Sequence, residues 1–219
     1  MKTEGIVFKA ITYKETSKIV YLYTPNGKVS VKAIGSKNSK KKTFGFGEIG
    51  NIVSFLMTDQ DFPTLIEYEI LNSAYKYTNS FDSIMALGKI IEILNYLPDD
   101  SIHNKIYPFI KDIMLNLLDN PLKALSIFLI KMTYNFGVAP KFDSCIICGN
   151  KNNLLFSVSK GSVICNKCNN GYIDDIDIWM EYYKDKKNIK EYKDTDFKLL
   201  LKRINEYYLI HAHINLKIN

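Results

Sequence analysis

Four cysteines are the residues whose type and spacing most directly imply chemistry. They stand as Cys145-Ile-Ile-Cys148 and Cys165-Asn-Lys-Cys168, with sixteen residues between the pairs. Two residues between paired thiolates let both sulfurs reach one ion from a tight turn, and a second such knuckle completes a tetrahedron. The pattern predicts one structural zinc ion on Cys145, Cys148, Cys165 and Cys168. Free thiols and disulfides are the other readings, and a reducing compartment disfavours disulfides. Gly149 and Gly171, after the first and second pairs, ease the knuckle turns. Four thiolates leave no open position for water, so such a site holds a fold instead of activating a nucleophile. Its apparent binding free energy, about 10–16 kcal/mol for structural zinc, is enough to order a loop-rich insert.

Other catalytic constellations are missing. The zinc-deaminase pattern fails because Ser144 precedes Cys145 and no His-X-Glu exists. His103, His211 and His213 lack the spacing of a metal pair or a nucleophile-base pair. There is no phosphate-binding Gly-X-X-X-X-Gly-Lys-Ser/Thr loop, and Gly35 and Gly45-Phe46-Gly47 fit loop hinges, not a dinucleotide fingerprint. Asp174, Asp175 and Asp177 read either as a divalent-metal cluster or as acids at a helix N-terminus, where the dipole favours them. The expectation is a protein that is not an enzyme.

Charge is the second chemical signal. Residues 1–42 hold ten Lys against Glu4 and Glu15, a balance of +8, while the rest of the chain carries 19 bases and 21 acids. A genome biased toward Lys codons would explain why Arg203 is the sole Arg. It would not explain why acids are scarce in that one region. A polyanion-binding surface would, built from Lys28, Lys32, Lys37, Lys40, Lys41 and Lys42. Lys offers point charges without the bidentate base reading of Arg, so binding should be independent of sequence and sensitive to salt. About five such contacts on a single strand predict a log–log salt slope of roughly −3 to −4. Tyr13, Tyr21, Tyr23, Phe44 and Phe46 are near enough in sequence to offer stacking partners, although strand tyrosines also suit a barrel core. The segment Asp59-Gln60-Asp61-Phe62-Pro63 is acidic, so a polyanion should avoid that edge.

The elements that must position these groups come in two kinds. Up to about residue 75 the chain reads as five strands, over residues 5–13, 18–24, 28–33, 49–57 and 65–72. Val29, Val31 and Ala33 alternate with Lys28, Ser30 and Lys32, and Pro25-Asn26-Gly27 supplies a turn. In the fifth strand Ile66, Tyr68 and Ile70 are expected to face in, and Glu67 and Glu69 out. Five short strands with a long connection between the third and fourth suggest an OB-type barrel. From about residue 80 the period becomes helical. Ile84, Leu87, Ile91 and Leu94 form one stripe ending before Pro98. Ile102, Ile106, Phe109, Ile113 and Leu117 form another, whose start Pro108 is expected to reset. Asn120 and Pro121 open a third helix, with Leu122, Leu125, Leu129, Met132 and Phe136 before the stop at Gly137. Residues 196–209 suggest a last amphipathic helix.

The fold expected is therefore α+β in two parts: a five-stranded OB-type barrel over 1–78, then a helical domain over 79–219. The second part carries a four-Cys zinc-ribbon insert at about 142–172. The chain has 219 residues, 47% of them apolar and 24% charged, enough to bury a real core. No apolar run approaches the ~18 residues needed to cross a bilayer. The first residues hold too short an apolar stretch for a secretory signal, so a cytoplasmic location is expected.

Taken in order, these features resemble the RecO family of bacterial recombination mediators. The likeness runs through Gly5-Ile-Val-Phe-Lys, Lys18-Ile-Val-Tyr-Leu-Tyr-Thr-Pro, Gly27-Lys28-Val29, the Gly35 basic loop and Gly137-Val-Ala-Pro140 before the first Cys pair. It continues to Leu200-Leu201-Lys202-Arg203 and Glu206-Tyr207-Tyr208-Leu209. The resemblance implies a non-enzymatic role in DNA repair and recombination. It implies binding of single- and double-stranded DNA, annealing of complementary strands, and action with RecR to help RecA displace single-strand-binding protein, whose tail is also contacted. It places Lys28, Lys32, Lys37, Lys40, Lys41 and Lys42 on the DNA face and the four Cys in the zinc knuckles. An OB-type barrel plus zinc ribbon also suits an RNA-binding or transcription accessory protein. A nucleic-acid-processing enzyme using the Asp174 region is the third possibility.

Overall fold

The protein is described from a computed structural model over residues 2–169, 179, 181, 182 and 192–218. Two compact units divide it, Met1–Pro121 and Leu122–Asn219. The expected boundary at residue 78 falls inside the first unit, in the short turn Ala74–Asn79 that follows the last barrel strand.

In the first unit β1 (Lys2–Tyr13), β2 (Ser17–Thr24), β3 (Gly27–Ala33), β4 (Ile52–Met57) and β5 (Leu65–Asn72) form one antiparallel sheet ordered β3-β2-β1-β4-β5. β1 serves two partners. Lys2 to Ile6 pair with β4, Ile6 to Tyr13 pair with β2, and a bulge between Val7 and Lys9 bends the strand as it passes from one to the other. The sheet closes on itself where the Lys32 N–H donates to the Pro63 carbonyl at 2.9 Å and Lys32 bridges Thr64 in parallel. This is the OB-type barrel. Inside lie Val7, Val20, Leu22, Val31, Ala33, Phe46, Val53, Phe55 and Leu65. Each removes apolar surface from water, at ~25 cal/mol per Å².

The expected facing of β5 needs correction. Tyr68 and Ile70 pair with the inward Phe55 and Val53, but a register shift places Leu65 opposite Met57 and leaves Ile66 as the extra residue. Leu65 takes the buried position, while Ile66 is 49% and Ile70 45% exposed.

A 3₁₀ turn at Ala74–Asn79 leads into α1 (Phe81–Tyr96), capped by the Ser80 hydroxyl accepting from the Ser83 N–H at 3.1 Å. Its buried face is Ser83, Ala86, Ile90, Ile91, Ile93 and Leu94, and Ile84 of the expected stripe is exposed. Small Ser83 and Ala86 allow closer approach than Ile84 would. Helix α2 (His103–Leu115) buries Ile106, Tyr107, Ile110, Ile113 and Met114. Pro108 lies within it instead of resetting its start. The ring is accepted near the first turns, where only one backbone hydrogen bond is forgone.

Helix α3 (Pro121–Asn135) is buried almost all round. It ends at Gly137 with φ +68°, where Val138 N–H donates to the Thr133 carbonyl and Gly137 N–H to Tyr134, the paired bonds of a Schellman stop. Within the second unit, β6 (Leu154–Ser157) and β7 (Ser162–Cys165) form a hairpin. Helix α4 (Asp194–Tyr207) runs on into a π-type turn, Tyr208–Ala212. Rings join the hairpin to α4: Phe156 meets Trp179 at 5.1 Å, Trp179 meets Tyr207 at 4.9 Å, and Tyr207 meets His211 at 4.4 Å. The chain then extends so that Ile214, Leu216 and Ile218 are buried. Among the described residues no helix is long and apolar enough to cross a membrane.

Candidate nucleic-acid interface and metal centre

The hairpin and the loop before it bring the four cysteines together. Their Sγ atoms lie within 4.8 Å of one another, Cys148 and Cys165 being 3.6 Å apart. A disulfide would need about 2.05 Å. A tetrahedron of sulfurs each 2.3 Å from zinc has edges of about 3.8 Å, so the spacing fits that ion. The backbone builds both knuckles. Gly149 N–H donates to the Cys145 carbonyl at 2.9 Å, Cys168 N–H to Cys165 at 2.9 Å, and Ile146 N–H ties the first knuckle to Val163 of β7 at 3.0 Å. Cys145 and Cys165 are buried and Cys148 is exposed.

The sulfurs do not titrate alike. Burial opposes ionisation of Cys145, but backbone hydrogen bonds from Cys165, Cys148 and Ile147 outweigh it and bring that thiol down to about 6. Hydrogen bonds to Cys148 and Cys165, with burial added, push Cys168 up to about 12. Four thiolates this close repel one another, and a cation at their centre removes that penalty. The cluster is therefore suited to holding one metal ion.

The basic surface rests on the connection from β3 to β4. Lys37, Lys40, Lys41 and Lys42 are all exposed. The loop is folded by its own bonds. Asn38 N–H donates to Gly35, Lys41 N–H to Asn38 and Phe44 N–H to Lys41, and Gly45 N–H closes back to Ser36 at 3.1 Å. Thr43 Oγ1 donates to the Ile34 carbonyl at 2.7 Å. Gly35 has φ +74°, and a Cβ there would stand 3.0 Å from Lys41 Cγ, so the Lys41 stem lies against it. Lys32 is half-buried, its Nζ 4.5 Å from the centre of the Phe62 ring.

Lys28 differs from the rest. Its Nζ donates to the Leu97 carbonyl at 2.7 Å and to Asn95 at 3.4 Å, and sits 3.8 Å from Asp99. The ammonium caps the C-terminus of α1, where a cation is favoured by the helix dipole. Its partners lie 67 and 69 residues further along the chain, so local patterning does not reveal this use. His103 is likewise a latch: its Nδ1 faces Tyr23 Oη at 3.1 Å and its Nε2 faces the Asp99 carbonyl at 3.0 Å. His211 holds the Val158 carbonyl at 2.7 Å, and His213 is exposed with φ +57°. Of the aromatic candidates, Tyr23 and Phe46 are fully buried, Tyr13 and Tyr21 are half-buried, and Phe44 is 50% exposed. Gly171, Asp174, Asp175 and Asp177 lie outside the described residues.

A closed five-stranded OB-type barrel bearing an exposed lysine loop, in one chain with helices and a four-sulfur cluster, defines a barrel protein whose cationic loop suits a polyanion. Comparison with known proteins narrows the class. Residues 1–74 match the family model "Recombination protein O N terminal", and residues 79–172 match "Recombination protein O C terminal". The DNA repair protein RecO of Thermoanaerobacter sp. (strain X514) is 27% identical over 182 residues, covering 80% of this chain and 73% of that protein. The DNA repair protein RecO of Bacillus mycoides (strain KBAB4) is 29% identical over 175 residues, covering 76% of this chain and 69% of that protein. The chain belongs to the RecO family of DNA repair and recombination proteins.

Proposed function

We propose that this protein binds single- and double-stranded DNA without sequence preference and anneals complementary strands. It then works with RecR to help RecA onto DNA coated by single-strand-binding protein, whose tail it also contacts. The carrying observation is the self-bonded loop that presents Lys37, Lys40, Lys41 and Lys42 to solvent beside the barrel. Residues 1–78 serve as the DNA-binding domain, with Lys32 adding to the loop and Lys28 contributing mainly by anchoring β3. Two strands repel through their phosphates, and a cationic surface holding both lowers that barrier and raises their local concentration. The step needs no nucleophile or nucleotide, so the protein acts without catalysis, in the cytoplasm at the nucleoid.

Cys145, Cys148, Cys165 and Cys168 hold one zinc ion that keeps the hairpin folded. The test is annealing of two labelled complementary DNA strands without ATP. Wild type should anneal them, and a Lys37/Lys40/Lys41/Lys42→Ala variant with an unchanged melting curve should not. Equal rates for the two proteins would overturn the assignment of the surface.

A further inference from the structure

We infer that Phe44 stacks on an unpaired base, so that the basic loop holds single-stranded DNA in preference to duplex. The inference rests on the reading of the loop as the DNA surface and names the form of DNA it favours. Five aromatic residues stand near the lysines in sequence, and the structure separates them. Tyr23 and Phe46 are buried at 0% exposure. The Tyr21 ring packs 6.2 Å from Phe8 with Lys9 Nζ 5.2 Å from its centre, and Lys14 Nζ lies 5.4 Å from the centre of Tyr13. Phe44, two residues beyond Lys42, is 50% exposed.

Its backbone is fixed on both sides. Phe44 N–H donates to the Lys41 carbonyl at 3.0 Å, and Tyr68 Oη donates to the Phe44 carbonyl. Phe46, two residues on, is buried between Phe55 and Tyr68 at ring separations of 6.2 and 5.0 Å. An aromatic ring held in solvent on a fixed frame, among cations, meets a ligand that is polyanionic and has flat apolar faces. Little ordering entropy remains to be lost when a base lands on it. Unpaired bases expose such faces, whereas the bases of a duplex already stack on each other. One base–aromatic stack changes affinity by about 5- to 150-fold.

The test uses the full chain and fluorescence anisotropy with labelled oligothymidylate and a duplex of matched length. Phe44→Ala should weaken oligothymidylate binding at least about fivefold. It should leave duplex affinity within about twofold and the salt slope unchanged, because no charge is removed. Phe44→Trp should keep the affinity, and its indole emission should be quenched by oligothymidylate over the steady signal of Trp179, the sole native Trp and fully buried. The quenching stands as a readout even if Phe44→Ala folds poorly. An equal loss for both DNA forms, no loss, or no quenching would overturn the inference, and a Lys40/Lys41/Lys42→Ala variant that loses both forms would show that the reading of the loop as the DNA surface still stands. A wild-type protein that binds neither form would overturn the underlying reading and this inference with it.

Discussion

Replacing Lys40, Lys41 and Lys42 together by Ala removes three exposed ammonium groups that have no ion-pair partner among the described residues. Each phosphate neutralised contributes about 0.7 to the log–log salt slope on single strands and about 0.9 on duplex. With Lys32 and Lys37 added, the wild-type slope on a single strand should be about −3.5, and that of the triple variant about −1.4. Raising salt from about 50 to about 200 mM should then weaken the wild type roughly a hundredfold and the variant only about sevenfold. Lys28→Ala is the internal control. Its ammonium already faces the Leu97 and Asn95 carbonyls, so its loss should leave the slope unchanged and cost about 1 kcal/mol of stability. The measurement is anisotropy of a labelled single strand across a potassium chloride series. Parallel slopes for wild type and triple variant would refute the electrostatic reasoning. So would a Lys28→Ala protein whose slope flattens as much as that of a loop lysine variant.

Phe46→Ala should lose about 3–5 kcal/mol in urea unfolding, the usual result of emptying a phenylalanine site in a closed core. A loss below about 1 kcal/mol with DNA binding abolished would make Phe46 a ligand contact instead. Metal analysis should find one zinc per chain, and either chelation or Cys145→Ser should lower the melting temperature and protect the β6–β7 amides less from exchange; unchanged melting would contradict a structural ion. Burial holds Tyr207 neutral and pushes its hydroxyl up to about 12. The unfolded chain ionises first, so stability should be complete below pH 10 and decline as pH rises from about 10 toward 12. Tyr207→Phe should flatten that decline in a melting series, and an identical pH profile would count against it.

The parts of the fold that were legible in the sequence are those governed by neighbours along the chain. α3 starts and stops at Pro121 and Gly137 because each residue dictates its own backbone angle. The paired cysteines were legible because two-residue spacing constrains a knuckle by itself. What escaped depends on partners distant in the chain. The extra residue at Ile66 exists only because β4 offers one fewer position opposite it. Two adjacent stripes of α1 are both apolar, and only close packing selects the one with Ser83 and Ala86. The candidate surface shows the same division. Counting charges found the basic loop, but the fate of Lys28 depends on carbonyls about seventy residues away along the chain.

The barrel's closure has a kinetic consequence. Among the described residues, β3 is joined to the two residues just before β5 through the Lys32–Thr64 bridge and the Lys32–Pro63 hydrogen bond, whereas every other neighbouring pair is zipped along several residues. A cylinder fastened this sparsely along one line has a seam. Local opening there requires few bonds to break, so the Lys32 amide should exchange with solvent by breathing of the wall, well before the β1–β2 ladder does so by unfolding. The seam carries the side chain of Lys32 and runs into the lysine loop one residue past the end of β3. A phosphate chain laid across it would act as a clasp, slowing exchange at that line while leaving the rest of the wall unaffected.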